Sequence, residues 1–348
     1  MKIIADDKIP YLNSLFSPFS QLIKIPGKGI TNTDLTDASA LLTRTVTTVN
    51  SQTLKNTAIQ YVGSMTAGID HIDTDYLTRE KISWCSAPGS NASAVAEYVM
   101  ACVAQLIQQE KLPRKFNAGI IGVGHVGKIV ANYFTTIADT VIYSDPPRAK
   151  AEPDFFSSAL SAFTELDLIC IHTPLITSGP DTTHHLINNA FLQQLKPGCV
   201  IINAARGVIV DNDALLKNKH VIACLDVWEG EPSVNIELLK NVAIASPHIA
   251  GYSQQAKFNA SWQVFETMAK HFKWDYEKSA LLESIDLPKQ STISLHHPNW
   301  GAQILNAYNP AHETVSLRDK LLNAQDKSTA FEALRRNYML RNELLIQY

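Results

Sequence analysis

Gly122-Val123-Gly124-His125-Val126-Gly127 stands directly after the apolar run Ala118–Val123 and opens a stretch of helical character. Each glycine has a physical task in that setting. Gly122 permits a tight turn, Gly124 lets the backbone approach a pyrophosphate, and Gly127 allows a helix to pack closely on a strand. The N-terminus of that helix, with His125 and Val126 in its first turn, attracts negative charge. The spacing GxGxxG alone also fits an ordinary glycine-rich turn, so its context decides. The next apolar run, Thr140–Ser144, ends at Asp145, 18 residues after Gly127, where an acidic residue binds ribose hydroxyls. Strand, glycines, helix, strand and aspartate together predict a dinucleotide site. An aspartate there repels a 2′-phosphate, which favours NAD over NADP, and the nearby Arg148 tempers that preference.

Outward from the glycine turn, six apolar runs alternate with segments of helical length: Ala118–Val123, Thr140–Ser144, Leu168–Ile171, Cys199–Asn203, Val221–Leu225 and Val242–Ala245. Continuous apolar runs read as strands buried on both faces, and six of them with intervening helices form a doubly wound sheet. Upstream, Lys2–Ala5, Leu22–Ile25, Ala40–Thr43, Ile59–Val62 and Ile82–Trp84 repeat the pattern, which predicts a second sheet of the same kind. Long helices are expected over Asn91–Gln109, capped by Ser90 or Asn91, and over the amphipathic Asn259–Trp274. The fold class is therefore α/β, with two doubly wound parallel-sheet domains of Rossmann or flavodoxin type. From about Glu283 the texture changes, through Pro288, a Ser/Thr cluster and His296-His297-Pro298-Asn299-Trp300. This tail is expected to be mainly one basic helix, Ala330–Leu345, with Phe331, Leu334, Tyr338 and Leu345 on one stripe.

A chain of 348 residues holds two domains with room for a small third. Its composition, 45% hydrophobic and 18% charged, excludes disordered and fibrous classes. A net charge of −3 argues against a general nucleic-acid surface, although a few local arginines can bind an acidic small molecule. The apolar stretch Val95–Ile107 is too short to span a bilayer and carries Glu97 and Gln105. An acidic pair, Asp6-Asp7, comes where a signal peptide would need its apolar core. Cys85, Cys102, Cys170, Cys199 and Cys224 show no CxxC spacing, which points to a reducing, cytoplasmic setting without disulfides. The neighbours His184-His185 and His296-His297 are poorly placed to share a metal, and none is expected.

A second constellation spreads over three strand ends. Asn203-Ala204-Ala205-Arg206-Gly207 follows one run, Leu225-Asp226-Val227-Trp228-Glu229-Gly230-Glu231-Pro232 the next, and Ser246-Pro247-His248-Ile249-Ala250-Gly251-Tyr252 the last. Ligands of parallel sheets sit at the carboxyl ends of strands, so Arg206, Glu231 and His248 can converge there. These types suit redox chemistry on a hydroxy acid. A guanidinium holds a carboxylate and polarises the reacting oxygen, an imidazole exchanges the hydroxyl proton, and a carboxylate orients and charges that imidazole. Singly, each also has a plain structural use: a salt bridge, a solvated loop residue, a loop histidine.

In order along the chain, these motifs, with Ala87–Ala92, Val95–Glu97, His172-Thr173-Pro174 and Val210-Asp211, resemble the signature of the D-isomer-specific 2-hydroxyacid dehydrogenases over about residues 36–255. The resemblance implies Arg206, Glu231 and His248 as the catalytic triad. It adds Thr173, Ala204, Arg206, Asp226 and Gly251 to the NAD site. It also implies a cofactor domain, 91–251, inserted into a discontinuous substrate domain, 1–90 with about 252–282, hinged near Pro88–Asn91 and after Gly251. A closer likeness within the family rests on Arg44–Asn50, Thr66–His71, Asp145–Arg148, Leu225–Pro232, His248–Tyr252 and Phe331–Asn342. It implies a small phosphorylated 2-hydroxy acid as substrate, contacted by Thr45, Thr66 and Tyr252, and a homodimer made by a C-terminal α+β dimerisation domain, 283–348. Arg44, at a strand end of the substrate domain, is a further candidate to reach the substrate phosphate or carboxylate, with a structural reading as its alternative. Arg335, Arg336 and Arg341 read more readily as a solvated or intersubunit helix face than as a phosphate site. Two departures from the family pattern stand out: the segment Asp211–Asp226 is short, leaving a stubby helix at Asp213–Lys219, and the tail is expected to be trimmed. Another 2-hydroxy acid such as 3-phosphoglycerate, and an NAD-sensing protein without turnover, remain as alternative readings.

Overall fold

The computed structural model describes residues 1–287 and 289–348; Pro288, read above as part of the change in texture, lies outside the described residues. The chain divides into two compact units, Met1–Asn91 with Ser253–Lys289, and Ala92–Tyr252 with Gln290–Tyr348.

The first unit is built on β1 (Lys2–Asp6), β2 (Gln21–Ile25), β3 (Ala40–Thr43), β4 (Tyr61–Ser64) and β5 (Ser83–Cys85), all parallel, in the order β2-β1-β3-β4-β5. Side chains of a strand alternate between faces, and the core divides accordingly. Ile3, Ala5 and Leu42 pack with Phe258, Val264, Phe265 and Met268 of helix Gln254–Phe272. Ile4, Leu41 and Val62 pack with Leu54, Tyr76 and Leu77 on the other side. The helix begins at Gln254, ahead of its expected start at Asn259, because Ser253 caps it by accepting from Ala256 N.

The second unit contains β6 (Asn117–Ile121), β7 (Thr140–Ser144), β8 (Leu168–Ile171), β9 (Val200–Asn203), β10 (Ile222–Leu225) and β11 (Ile244–Ala245), parallel, in the order β11-β10-β9-β8-β6-β7. These are the apolar runs of the sequence, two of them unchanged and the others shifted or shortened by one or two residues at their ends. Strand order reverses between β6 and β8, the switch point at which such sheets bind ligands. Helix Ala92–Gln108 is buried almost all round, which explains why its sequence lacks a polar face. No helix among the described residues is long and apolar enough to cross a membrane.

The tail differs from the expectation of one basic helix. It forms helices Trp300–Ala307, Pro310–Asn323 and Lys327–Arg336, and two strands, β12 (Ser291–Ser294) and β13 (Leu344–Gln347), which pair in parallel. The last helix stops at Arg336 and not at Leu345. From Leu344 to Gln347 burial alternates with the period of a strand, so Leu345 faces outward while Leu344 and Ile346 are buried. The tail also belongs to the core of this unit. Ile293, Ile304, Tyr308, Leu344 and Ile346 join the cluster on one face of the six-stranded sheet, and Leu317, Leu321 and Phe331 join that on the other. Thr314 Oγ1 accepts from Ala245 N at 2.9 Å, so the tail covers the edge strand β11. The shortened segment after Asp211 folds as the helix Asn212–Lys217.

Candidate active site

The glycine turn leads from β6 into helix His125–Ile137. Gly122 has φ +86°, a left-handed conformation that a side chain disfavours. A Cβ on Gly127 would lie 2.1 Å from Gly122 O, so helix and turn touch backbone to backbone. Gly124 is different: a Cβ there would meet nothing within 4 Å, and as N-cap it gives the helix no side-chain hydrogen bond. The thirteen-residue helix thus starts at an open position without a side-chain cap, where its N-terminal N–H groups are free of side-chain competition for a pyrophosphate. Asp145 ends β7, and its Oδ2 accepts from Val123 N at 2.8 Å while Oδ1 accepts from Arg148 N. Arg148 lies 4.1 Å over the Phe155 ring, pairs with Glu152, and donates to Val123 O. Its charge is therefore engaged by its own helix, the following loop and the glycine turn.

His172 and Thr173 end β8, across the switch point from Gly122. Both ring nitrogens of His172 are buried without a hydrogen-bond partner, and burial pushes its pKa down to about 3. Buried polar atoms without partners are uncommon. The backbone of His172 and Thr173 lies against Gly122, where a Cβ would fall 2.7 Å from His172 C; the glycine turn, the helix N-terminus without a side-chain cap and Asp145 form a set that fits a dinucleotide. Thr173 and Ala204 are half-buried at the neighbouring strand ends, and His125 and Val126 sit in the helix's first turn.

Arg206, Glu231 and His248 follow β9, β10 and β11, so all three reach the carboxyl edge of one sheet. Glu231 Oε2 lies 2.8 Å from His248 Nδ1, and Glu231 Oε1 accepts from Trp228 N at 2.7 Å. Burial alone would raise the Glu231 carboxyl. The His248 hydrogen bond and charge, the Trp228 N–H and the Arg335 charge outweigh it and hold the carboxyl below its ordinary range. Glu229, two residues earlier, pairs instead with His185 at 2.8 Å and accepts from Asn212 N. Arg206 is held by its loop: its Nη1 donates to Ala205 O, and Asn203 Nδ2 donates to Arg206 O. Gly207 lets that loop lie against the next one, since a Cβ there would fall 2.0 Å from Trp228 O.

His248 has φ +59°, rare for a residue with a side chain and costing about 1–2 kcal/mol. The backbone around it carries that strain. His248 N donates to Asp226 O at 2.7 Å, and the Asp226 carboxylate, 1% exposed, accepts from Ile249 N, Ala250 N and the Ser246 hydroxyl. Asp226, assigned by resemblance to the cofactor, thus has its oxygens engaged in shaping the histidine loop. Tyr252 ends this loop, and its Oη accepts from Arg335 Nε at 3.1 Å.

In the first unit, Thr45 is exposed just beyond β3, and Thr66 lies beyond β4. Thr66 Oγ1 donates to Gly68 O and lies 2.7 Å from Ser64 Oγ, which is 3.0 Å from His71 Nε2. Burial lowers the His71 pKa. Arg44 donates twice to the fully buried Asp6, each bond 2.9 Å long, which cancels most of its pull on an external anion. Sequence reading did not single out Ser64, and it gave His71, His185, Arg335 and Arg341 plain structural readings without the partners that the fold gives them. Their partners lie up to 247 residues away, and no spacing signals them. Arg341, expected on a solvated face, is instead buried among backbone carbonyls.

The sequence profile of the D-isomer specific 2-hydroxyacid dehydrogenase NAD binding domain matches residues 101–250. An erythronate-4-phosphate dehydrogenase of Coxiella burnetii (strain RSA 331 / Henzerling II) is 47% identical over 99% of this chain and 93% of its own length. One of Pseudomonas fluorescens (strain Pf0-1) is 37% identical over 99% and 93%. Among solved structures, the D-lactate dehydrogenase of Aquifex aeolicus complexed with NAD and lactic acid superposes with a TM-score of 0.63 at 21% identity, covering 83% of this chain and all of that one. The NAD-dependent formate dehydrogenase of Staphylococcus aureus, in complex with NAD, gives 0.64 at 19% identity, over 80% and 97%. At these identities the likeness to solved structures concerns the fold.

Proposed function

We infer the activity of this chain from its family, for it belongs to the D-isomer-specific 2-hydroxyacid dehydrogenases. It is an NAD-dependent oxidoreductase, and its substrate is 4-phospho-D-erythronate, oxidised at C2 to (R)-3-hydroxy-2-oxo-4-phosphooxybutanoate. By the same resemblance the step belongs to pyridoxal 5′-phosphate synthesis. Bound NAD supplies the hydride acceptor. The bond from Glu231 to Nδ1 leaves Nε2 of His248 as the base that takes the C2 hydroxyl proton. Glu231, ionised because its carboxyl is held low, stabilises the imidazolium that forms. Arg206 holds the substrate carboxylate and stabilises charge developing on the C2 oxygen. Thr45, Thr66 and Tyr252 contact the substrate. Arg44 contributes chiefly through its unbonded Nη1, since Asp6 occupies the rest of the fork.

The observation that carries this reading is the 2.8 Å Glu231–His248 pair, in a chain alike from end to end to enzymes named for erythronate 4-phosphate. NADH absorbance should rise when 4-phospho-D-erythronate and NAD are mixed with the protein. No rise, where 3-phosphoglycerate does react, would refute the substrate assignment.

The protein is further proposed to be a cytoplasmic homodimer. Its five cysteines are all free thiols. Phe331 is buried within its own chain and Leu345 lies on β13, so the residues read from the sequence do not form one exposed helix stripe. Helix Pro310–Asn323 instead exposes Val315 (68%) and Leu322 (43%), two turns apart on one face. Val315→Asp with Leu322→Asp should shift the sedimenting mass from dimer to monomer; a wild-type monomer would contradict the dimer.

A further inference from the structure

One arginine of the tail, with a side chain only 7% exposed, donates to the backbone of the histidine loop. Arg341 follows the last helix, and its guanidinium donates from Nη1 to Ile249 O (3.3 Å) and Tyr252 O (3.1 Å), and from Nη2 to Ala94 O (2.7 Å) and Ala250 O. The group lies 4.5 Å over the Tyr308 ring, with Nε 3.5 Å from Glu97 Oε1. We propose that Arg341 is a positioning residue for the oxidation, clamping from the tail the backbone that follows His248.

Three features separate this from ordinary core packing. The first is where the bonds fall. Three of the four acceptors are carbonyls of Ile249, Ala250 and Tyr252, the residues directly after a histidine in the left-handed region. The second is the opposing grip. Asp226 accepts from the N–H groups of Ile249 and Ala250, so both peptide polarities of the loop are held, donors by Asp226 and acceptors by Arg341. A loop held on one side only could relieve the strain at His248 by rotating its peptides. The third is the choice of side chain. Only arginine carries a rigid fork of five donors; lysine presents its donors from a single point and cannot match separate carbonyls in the same geometry. Burying that charge is costly unless it is fully bonded. Here four carbonyl hydrogen bonds, the Tyr308 ring and the nearby Glu97 charge offset that cost, although Nε itself has no hydrogen-bond partner among the described residues.

The inference rests on the dehydrogenase reading above, and the test separates the two. In Arg341→Lys of the full chain, kcat for 4-phospho-D-erythronate should fall by about 10- to 100-fold, as expected when a catalytic group is misplaced by a fraction of an ångström to an ångström. KM should stay within about threefold and the Kd for NAD within about twofold, because the glycine turn is untouched. Amide exchange should quicken across residues 248–252 and not across 122–127. A kcat within twofold of wild type, or a loss of NAD binding in step with kcat, overturns the clamp. Should Arg341→Lys not fold, Tyr308→Leu removes the surface under the guanidinium. It should give the same split at roughly three- to tenfold in kcat, and an unchanged kcat overturns the clamp equally. A wild type without turnover contradicts the proposed function, and the exchange pattern then decides the clamp by itself: equal exchange in the variant overturns it.

Discussion

Replacing Glu231 by glutamine removes one charge and leaves the loop nearly unchanged in volume. Glu231 accepts from His248 Nδ1 at 2.8 Å through one oxygen and from Trp228 N at 2.7 Å through the other. A glutamine has a single acceptor oxygen, so one of these donors would face an amide NH2. The lost bond is charge-assisted and lies between side chains that are 19% and 30% exposed, shielded enough to keep its strength. Such bonds contribute about 1.5–3 kcal/mol, which places the fall in kcat/KM between about 10- and 150-fold. The fall should appear in kcat, because the interaction strengthens as His248 gains the proton and Glu231 touches no part of the substrate. Initial rates of NADH formation across pH measure it. Activity should drop at acid pH, because a base that must accept the hydroxyl proton is lost once protonated. Glu231 is held below the usual carboxylate range, so it stays ionised through that drop, and the wild-type acid limb should have a slope of one proton. His248→Gln should abolish the limb, and Glu229→Gln, which disturbs the His185 pair, should leave it in place. A Glu231→Gln enzyme within threefold of wild type, or a two-proton limb, would refute the assignment.

The cofactor cradle makes paired predictions. Gly127→Ala puts a Cβ 2.1 Å from a backbone oxygen and should lower the melting temperature, whereas Gly124→Ala meets nothing in the protein and should leave it unchanged while weakening NAD binding. Asp145→Ala should also weaken NAD, by about 10- to 100-fold in a fluorescence titration, and relax discrimination against NADP; equal affinities in wild type and variant would sink the ribose assignment. Burial raises the Glu97 carboxyl to about 7, against the pull of Arg341 and the Leu344 N–H. A carboxyl raised by folding is protonated more readily in the native state, so its contribution is fullest below the ordinary carboxylate range and is lost as pH rises through 7. Urea denaturation should show stability falling between pH 5 and pH 8 by on the order of 3 kcal/mol, and Glu97→Gln should flatten that slope.

The sheets were legible because parallel strands buried on both faces leave continuous apolar runs; Ala40–Thr43, Thr140–Ser144 and Leu168–Ile171 coincide with the observed strands residue for residue. The glycine turn and the Glu231–His248 pair were legible because their chemistry needs fixed residue types at strand ends. The tail was not. Leu344 to Ile346 is too short for its two-residue alternation to be told from part of a helical stripe, and β13 exists because β12, some fifty residues earlier, pairs with it. Arg341 illustrates the general limit. A basic residue between polar neighbours reads as solvated, and only the fold brings it to the carbonyls of Ile249, Ala250 and Tyr252. Arg44 shows the same limit, since nothing at a strand end announces that Asp6 accepts from two of its nitrogens.

The most direct test is a panel of D-2-hydroxy acids, with and without a terminal phosphate, scored by kcat/KM with NAD and with NADP. The account predicts that 4-phospho-D-erythronate with NAD exceeds 3-phosphoglycerate, D-lactate and unphosphorylated erythronate by at least about 100-fold, the scale set by the loss of one or two charged hydrogen bonds. A higher kcat/KM for 3-phosphoglycerate, or no dependence on the phosphate, would contradict it.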